Sequence, residues 1–313
     1  MSVIAITGTS GFLGTHLLKH LSSWSNLHLK LMVHNNADVP LNKGTGISLV
    51  QGDLLKPETL NGFIEAGCTV VNLVHLSGRP KEENFTAMVN LAEACGRVGI
   101  KRLIHCSTAV VSGRLHVDRV TEDTPTHPLK EYEITKEGVE KILLEKSKGL
   151  FEAVILRPTA IFGMGGKNLL KMADDLRCGN RAVNYLKSCV FQYRRMNLVS
   201  IENVVSAIAF LIFTDSKIDR EVFIISEDED PFNNYHDVER YLMKRLGYRA
   251  YQFPVIPLSF LILKILLRLS GRTNINPALV YDCGNILSAG FKKPLSFQEG
   301  LSRFADWYQS THS

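Results

Sequence analysis

The chain has 313 residues, 45% apolar and 21% charged, which suits one large or two closely joined globular domains with a sizeable core. Its formal charge of +5 is spread over scattered basic residues; this leaves no footprint for nucleic acid and leans towards an anionic small-molecule substrate. The six cysteines make no CxxC pair and no zinc spacing with histidine, so they read as small buried apolar residues, and no metal is expected. Val3-Ile4-Ala5-Ile6 is a short apolar run closed by Thr7-Gly8 and reads as a buried strand. No basic leader precedes it, so the cytoplasm is the expected location. Leu13, Leu17, Leu18 and Leu21 follow at helical spacing. Further strands are expected at 27–33, 46–50, 69–74, 102–106 and 151–156. Helices are expected from about Asn84 to Val98 and from Tyr132 to Lys146. Strands alternating with helices at this spacing predict βαβ units: a doubly wound, Rossmann-like parallel sheet in an α/β fold. The later chain is more irregular and is expected to form a smaller α/β substrate-binding domain. The expected boundaries are 1–165, with a return segment at about 196–226, for the parallel-sheet domain, and 166–195 with 227–313 for the other. One apolar stretch, Phe253 to Leu267, is too short for a membrane span and is interrupted by Lys264. It reads as a core or substrate-lid helix, with peripheral membrane contact as the alternative.

The turn Gly8-Thr9-Ser10-Gly11-Phe12-Leu13-Gly14 directly follows a strand and opens a helix. Glycines there let the backbone turn sharply and approach a pyrophosphate, while the helix start presents free N–H groups and partial positive charge. This predicts that a nicotinamide dinucleotide contacts the turn.

The glycine spacing resembles the extended branch of the short-chain dehydrogenase/reductase superfamily, and other motifs carry the resemblance along nearly the whole chain. Gly52-Asp53-Leu54 resembles the adenine-side motif, with Asp53 facing the adenine amino group. Asn84 to Ala94 is similar to the family helix, with Met88 in place of its threonine. Tyr132-Glu133-Ile134-Thr135-Lys136 is a YxxxK pair, whose members share one face of a helix. A nearby ammonium and a cationic nicotinamide would lower the phenol pKa, letting Tyr132 exchange a proton with a sugar or alcohol oxygen. The resemblance implies that Lys136 also holds the cofactor ribose. It implies that Thr108, at the end of the fifth strand, orients the reacting oxygen, with Ser107 as the competing position. Ser112 stands where the family often has tyrosine. Arg157-Pro158-Thr159-Ala160-Ile161-Phe162-Gly163 is similar to the segment that lies against the nicotinamide, implicating Pro158 and Ile161; Leu73 and His34, at the ends of the fourth and second strands, complete the expected cofactor contacts.

Asn168 matches a position that touches the substrate diphosphate in nucleotide-sugar members. An arginine in Tyr193-Arg194-Arg195-Met196-Asn197 would suit the same group through bidentate bonds; Arg195 is preferred over Arg194. The ending from Ala289 to Tyr308 is similar to that of nucleotide-sugar epimerases and reductases. The resemblance therefore implies a nucleotide sugar, a UDP-hexose or UDP-N-acetylhexosamine, and a homodimer. Thr108-Ala109-Val110 lacks the acid pair of the dehydratases. The expected reaction is reduction of a UDP-4-keto-(6-deoxy)-N-acetylhexosamine in surface polysaccharide synthesis. The alternatives are 4-epimerisation and a non-catalytic dinucleotide sensor. Val33-His34-Asn35-Asn36 has no acid for a ribose 2′-hydroxyl, which leans the cofactor to NADP rather than NAD.

Overall fold

The computed structural model describes residues 2–24, 26–34, 46–115, 117–256 and 258–312. In chain order the elements are β1 (Ser2–Thr7), α1 (Phe12–Leu21), β2 (Leu27–Val33), β3 (Ile47–Gln51), β4 (Thr69–Asn72), α2 (Lys81–Val98), β5 (Arg102–Cys106), β6 (Arg119–Val120), α3 (Glu131–Lys146), β7 (Glu152–Pro158) and β8 (Ala160–Phe162). There follow α4 (Leu170–Cys178), α5 (Arg181–Phe191), β9 (Leu198–Ser200), α6 (Ile201–Phe213), β10 (Val222–Ile225), α7 (Tyr235–Arg245), α8 (Phe260–Leu269), β11 (Val280–Tyr281), α9 (Gly284–Ser288) and α10 (Phe297–His312). The six expected strands and both expected helices are present; β10, which the sequence reading left unmarked, adds a seventh strand to the sheet.

Two compact units emerge. The first is Met1–Val111, Lys130–Arg157 and Val205–Phe223; the second is Ser112–Leu129, Pro158–Val204 and Ile224–Ser313. The main sheet runs β10-β7-β5-β4-β1-β2-β3. β1 pairs in parallel with both β2 and β4, so the strand order reverses at β1. Open parallel sheets bind ligands at such a switch point, outside the carboxyl ends of the strands. The middles of the central strands are apolar because helices cover both faces. Ala5, Val70, Leu103, Ala153 and Ile155 are fully buried, joined by Leu91 and Leu143 from α2 and α3. Arg102 is buried yet well bonded: it pairs with Glu152 and donates to the carbonyls of Leu211, Thr214 and Ser216 around the end of α6. Those carbonyls have no partner within the helix, so a buried guanidinium is a suitable cap.

The second unit packs α4, α7 and α10 over the short β8–β9 pair, with Phe162, Leu198, Val238, Leu242, Leu301 and Phe304 in its core. Near the core lies a polar cluster. Asp228 accepts from Asn197 and from the backbone of Tyr281, and Glu227 from Ser200 and Asn203. Burial pushes Glu227 up to about 7 and Asp228 to about 6.

In the apolar stretch that begins at Phe253 the helix starts only at Phe260, and it does not lie in the core. Helix α8 buries Leu263 and Leu267, while its other apolar side chains stay in solvent. Two inward positions one turn apart anchor it, and none of the described residues covers the remaining face.

Candidate active site

At the end of β1 the chain enters the glycine turn. Gly8 has φ +77°, and a Cβ there would press on the backbone of Leu73 and Val74. A Cβ on Gly14 would lie 2.2 Å from the Gly8 carbonyl oxygen. The turn is therefore folded back on the first turn of α1, a closeness that only hydrogen side chains permit. Gly11 caps α1 without any side-chain bond to the first-turn amides. A cradle shaped by absent Cβ atoms, with uncapped helix N–H groups facing out of it, fits a dinucleotide pyrophosphate. Replacing Gly14 by Ala is expected to weaken dinucleotide binding at least tenfold and to cost about 1–3 kcal/mol of stability, the usual range for overpacking. Gly11→Ala is the control for fold, since its Cβ would come no closer than 3.4 Å to Gly8. A cofactor titration by fluorescence with Gly14→Ala matching the native protein would refute the assignment.

Beneath the turn a buried polar chain joins three strands. The Thr7 hydroxyl donates to Asn72 Oδ1 at 2.7 Å, and the Asn72 amide meets His105 Nδ1 at 3.2 Å. Asn72 Oδ1 also accepts from the Val74 backbone, which sets the direction of the chain just after Leu73. Asp53 is tied into its own turn, with Oδ1 accepting from Leu55 N at 2.9 Å and its backbone bonded to Thr59. Leu54 is buried, and its carbonyl accepts from Asn90 of α2. His34 is exposed at the end of β2; Asn35 and Asn36 lie outside the described residues. Ser10 is exposed, and Phe12 and Leu13 are half-buried.

The structure brings Thr108, Tyr132 and Lys136 together. Thr108 follows β5, and its hydroxyl lies close enough to the Tyr132 phenol to favour the ionised form slightly. Ser107, the competing hydroxyl, is buried and finds no partner among the described residues. Tyr132 sits in the first turn of α3, which starts where the Lys130 backbone N–H donates to Glu133. Lys136, one turn later, is almost wholly buried and donates from Nζ to the Cys106 carbonyl at 3.2 Å. Burial and then Cys106 push Tyr132 above the ordinary phenol value, against a smaller lowering from Thr108. The lowering expected from the sequence needs a cationic nicotinamide beside the phenol as well as Lys136. The Lys136 ammonium itself is bonded to the β5 carbonyl.

Three side chains at this site, His75, Arg157 and Glu140, have no role in the sequence reading. His75 places its ring edge-on to Tyr132, with centroids 5.0 Å apart. Burial first, then Lys136, keeps its pKa below the ordinary value, against a smaller raising by Asn84. Arg157 makes a bidentate pair with Glu140, Nε–Oε1 3.0 Å, with both side chains nearly out of solvent. Glu140 is one turn beyond Lys136 on the same helix face, and that spacing is the signal that could have found it.

In the second unit, Pro158 is buried at the end of β7 and Ile161 is half-buried in β8, paired with Val199. Asn168 is exposed and its amide donates to the Ile161 carbonyl. Arg195, the preferred diphosphate ligand, donates to the Asp230 carbonyl at 3.0 Å and packs as structure. Arg194 is the more suggestive neighbour. It and Arg272 both lie over the Phe191 ring at 5.9 Å. Burial and then Arg272 push Arg194 down to about 10, so it stays charged at neutral pH beside a like charge. Arg114 donates to the Arg272 carbonyl, and its own Nε is buried without a partner among the described residues. Where the family often has tyrosine, Ser112 meets the Tyr281 hydroxyl at 3.2 Å.

A parallel sheet whose first strand ends on a phosphate-fitting glycine turn at the switch point defines a dinucleotide-binding protein of the Rossmann class. Residues 4–225 match the model of the NAD dependent epimerase/dehydratase family, and the chain belongs to that family as an enzyme of the short-chain dehydrogenase/reductase type. The chain is 28% identical to a UDP-glucose 4-epimerase of Vibrio cholerae over 96% of this chain and 94% of that one. In fold it is similar to a Bordetella bronchiseptica enzyme solved with NAD and UDP, at TM-score 0.75 and 20% identity, covering 99% and 96% of the two chains. It is likewise similar to UDP-glucuronic acid 4-epimerase from Bacillus cereus, solved with UDP-glucuronic acid and NAD, at TM-score 0.74 and 18% identity over the whole of both chains.

Proposed function

We propose that this enzyme oxidises and reduces C4 of a nucleotide sugar with a bound nicotinamide dinucleotide. The observation that carries the reading is the gathering of the Thr108 hydroxyl and the Tyr132 phenol beside the buried, fixed Lys136. Two neighbouring hydroxyls at a strand end suit an oxygen that alternates between hydroxyl and carbonyl. Tyr132 gives or takes the proton at that oxygen, and Thr108 holds the oxygen in line. Lys136 is held against the Cys106 carbonyl within reach of the same helix face and serves the cofactor ribose. The glycine turn, Asp53, Leu54, Leu73, Pro158 and Ile161 serve the dinucleotide. When bound, the nicotinamide supplies the hydride acceptor and donor.

A diphosphate is the reading of the second unit. Arg194 and Arg272 carry like charges around Phe191, and a diphosphate would relieve their repulsion through charge-assisted bonds. This replaces Arg195 by Arg194 in the ligand role, with Asn168 retained. The whole-length likeness to a UDP-glucose 4-epimerase supports 4-epimerisation of a UDP-hexose or UDP-N-acetylhexosamine with retained NAD. The second reading is reduction of a UDP-4-keto-N-acetylhexosamine with NADPH, favoured by the missing acid after Val33.

One experiment separates them. The purified protein is incubated with UDP-GlcNAc or UDP-glucose and the sugar products are resolved, while NADPH absorbance at 340 nm is followed with a UDP-4-keto sugar. Interconversion of epimers without net cofactor consumption is expected. Stoichiometric loss of absorbance without epimers would transfer the assignment to the reductase, and neither result with any UDP sugar would remove the nucleotide-sugar reading.

A further inference from the structure

Helix α8 has the sequence Phe-Leu-Ile-Leu-Lys-Ile-Leu-Leu-Arg-Leu. At about 100° per residue, the buried Leu263 and Leu267 mark its inward side. Leu261, Ile262, Ile265, Leu266 and Leu269 fall on the outward side, and Leu261 and Leu269 are 69% and 79% exposed. Lys264 and Arg268 line one edge of that apolar stripe. The surface does not stop at the helix. Tyr185 of α5 donates to the Pro254 carbonyl, and Leu258 N–H donates to the Cys189 carbonyl. These bonds hold the segment leading into α8, with its exposed Phe253 and Ile256, against α5, whose Leu186 is also exposed. An apolar patch of this extent, rimmed by cations, marks an interaction surface, whereas single exposed leucines need no explanation.

We infer that this face rests on an anionic membrane surface, with α8 lying in the plane of the headgroups. A ten-residue helix is about 15 Å long, half the hydrocarbon thickness of about 30 Å. No helix among the described residues is long and apolar enough to cross a membrane. An apolar stripe with a cationic edge is the pattern of an interfacial helix. Charge selects the partner. From Arg240 to Tyr281 the chain contains no Asp or Glu, while Lys264, Arg268 and Arg272 fall within or just after α8. Two copies of the chain meeting face to face would crowd these cations with no carboxylate from this stretch to offset them. Anionic headgroups supply the countercharge and admit the leucines and isoleucines below it. This inference stands on the second unit's surface and is independent of which sugar the enzyme turns over.

The test is co-sedimentation of the full chain with mixed phosphatidylglycerol–phosphatidylcholine vesicles and with pure phosphatidylcholine vesicles. The protein is expected to pellet with the mixed vesicles, more weakly at high salt, and to stay largely in solution with phosphatidylcholine alone. Lys264→Gln with Arg268→Gln should lower the partition about 25-fold, roughly fivefold per cation. Ile265→Gln with Leu269→Gln should lower it at least about tenfold. All four positions lie outside the buried core, and an unchanged thermal midpoint and dinucleotide affinity show that the variants fold. Native protein remaining in the supernatant with both vesicles, equal binding to both, or partition unmoved by Ile265→Gln with Leu269→Gln would each overturn the inference. A concentration-dependent dimer in sedimentation velocity that the same apolar variant dissociates, without vesicle binding, would assign the face to a second copy instead.

Discussion

Tyr132→Phe is expected to lower kcat/KM by about 10²–10⁴-fold, the contribution of a positioned proton donor or acceptor, while leaving dinucleotide affinity within about twofold. The variant removes one oxygen. It keeps the ring that packs edge-on to His75 and leaves Lys136 bonded to Cys106. Thr108→Val removes the hydroxyl next to the phenol and should cost about tenfold, in line with one hydrogen bond to the reacting oxygen. The pH profile carries a second reading. Burial holds the phenol above its ordinary pKa, so Tyr132 stays protonated through neutral pH. The reductive direction, which needs a proton donor, should therefore be level across neutral pH and fall on the alkaline side. Stopped-flow hydride transfer and steady-state rates measure both. Turnover of Tyr132→Phe within tenfold of the native enzyme would remove the tyrosine from the mechanism.

Arg157→Met is expected to destabilise the protein by about 3–5 kcal/mol, because it strands the Glu140 carboxylate, which is nearly out of solvent. The cost should appear in the urea midpoint. Arg157→Met with Glu140→Met removes both charges and should recover most of the loss, since a buried ion pair replaced by apolar side chains is close to neutral. Arg157 lies in β7 and Glu140 in α3, so the pair fixes the height of the helix that carries Tyr132 and Lys136. In the double variant, recovered stability with kcat still lowered identifies Arg157 and Glu140 as positioning residues. A single-variant loss under about 1 kcal/mol would show that Glu140 finds water or another partner.

Local pattern was legible from residues 1 to 158. The strands are short apolar runs because both faces of a parallel sheet are covered, and period and punctuation mark their limits. The glycine turn and the Tyr132–Lys136 pair could be read because each rests on backbone shape or on spacing within one element, and Thr108 because its motif resembles the family's. Their meeting is a consequence of strand order, which reverses at β1 and which no local signal encodes.

The amino-acid sequence by itself determined the Rossmann-type class, because strand and helix periodicity and the glycine turn after the first strand are near-neighbour patterns; the Thr108, Tyr132 and Lys136 candidates came from a motif resemblance. Tertiary structure alone decided the surroundings of the two arginines, because Arg194 and Arg195 differ in what distant chain brings to them, Arg272 in one case and the Asp230 carbonyl in the other. It also decided the direction of the Tyr132 shift, since desolvation depends on packing. And it decided that α8 shows its leucines to solvent: composition says that a helix is apolar, and only the surrounding fold determines which of its faces is covered.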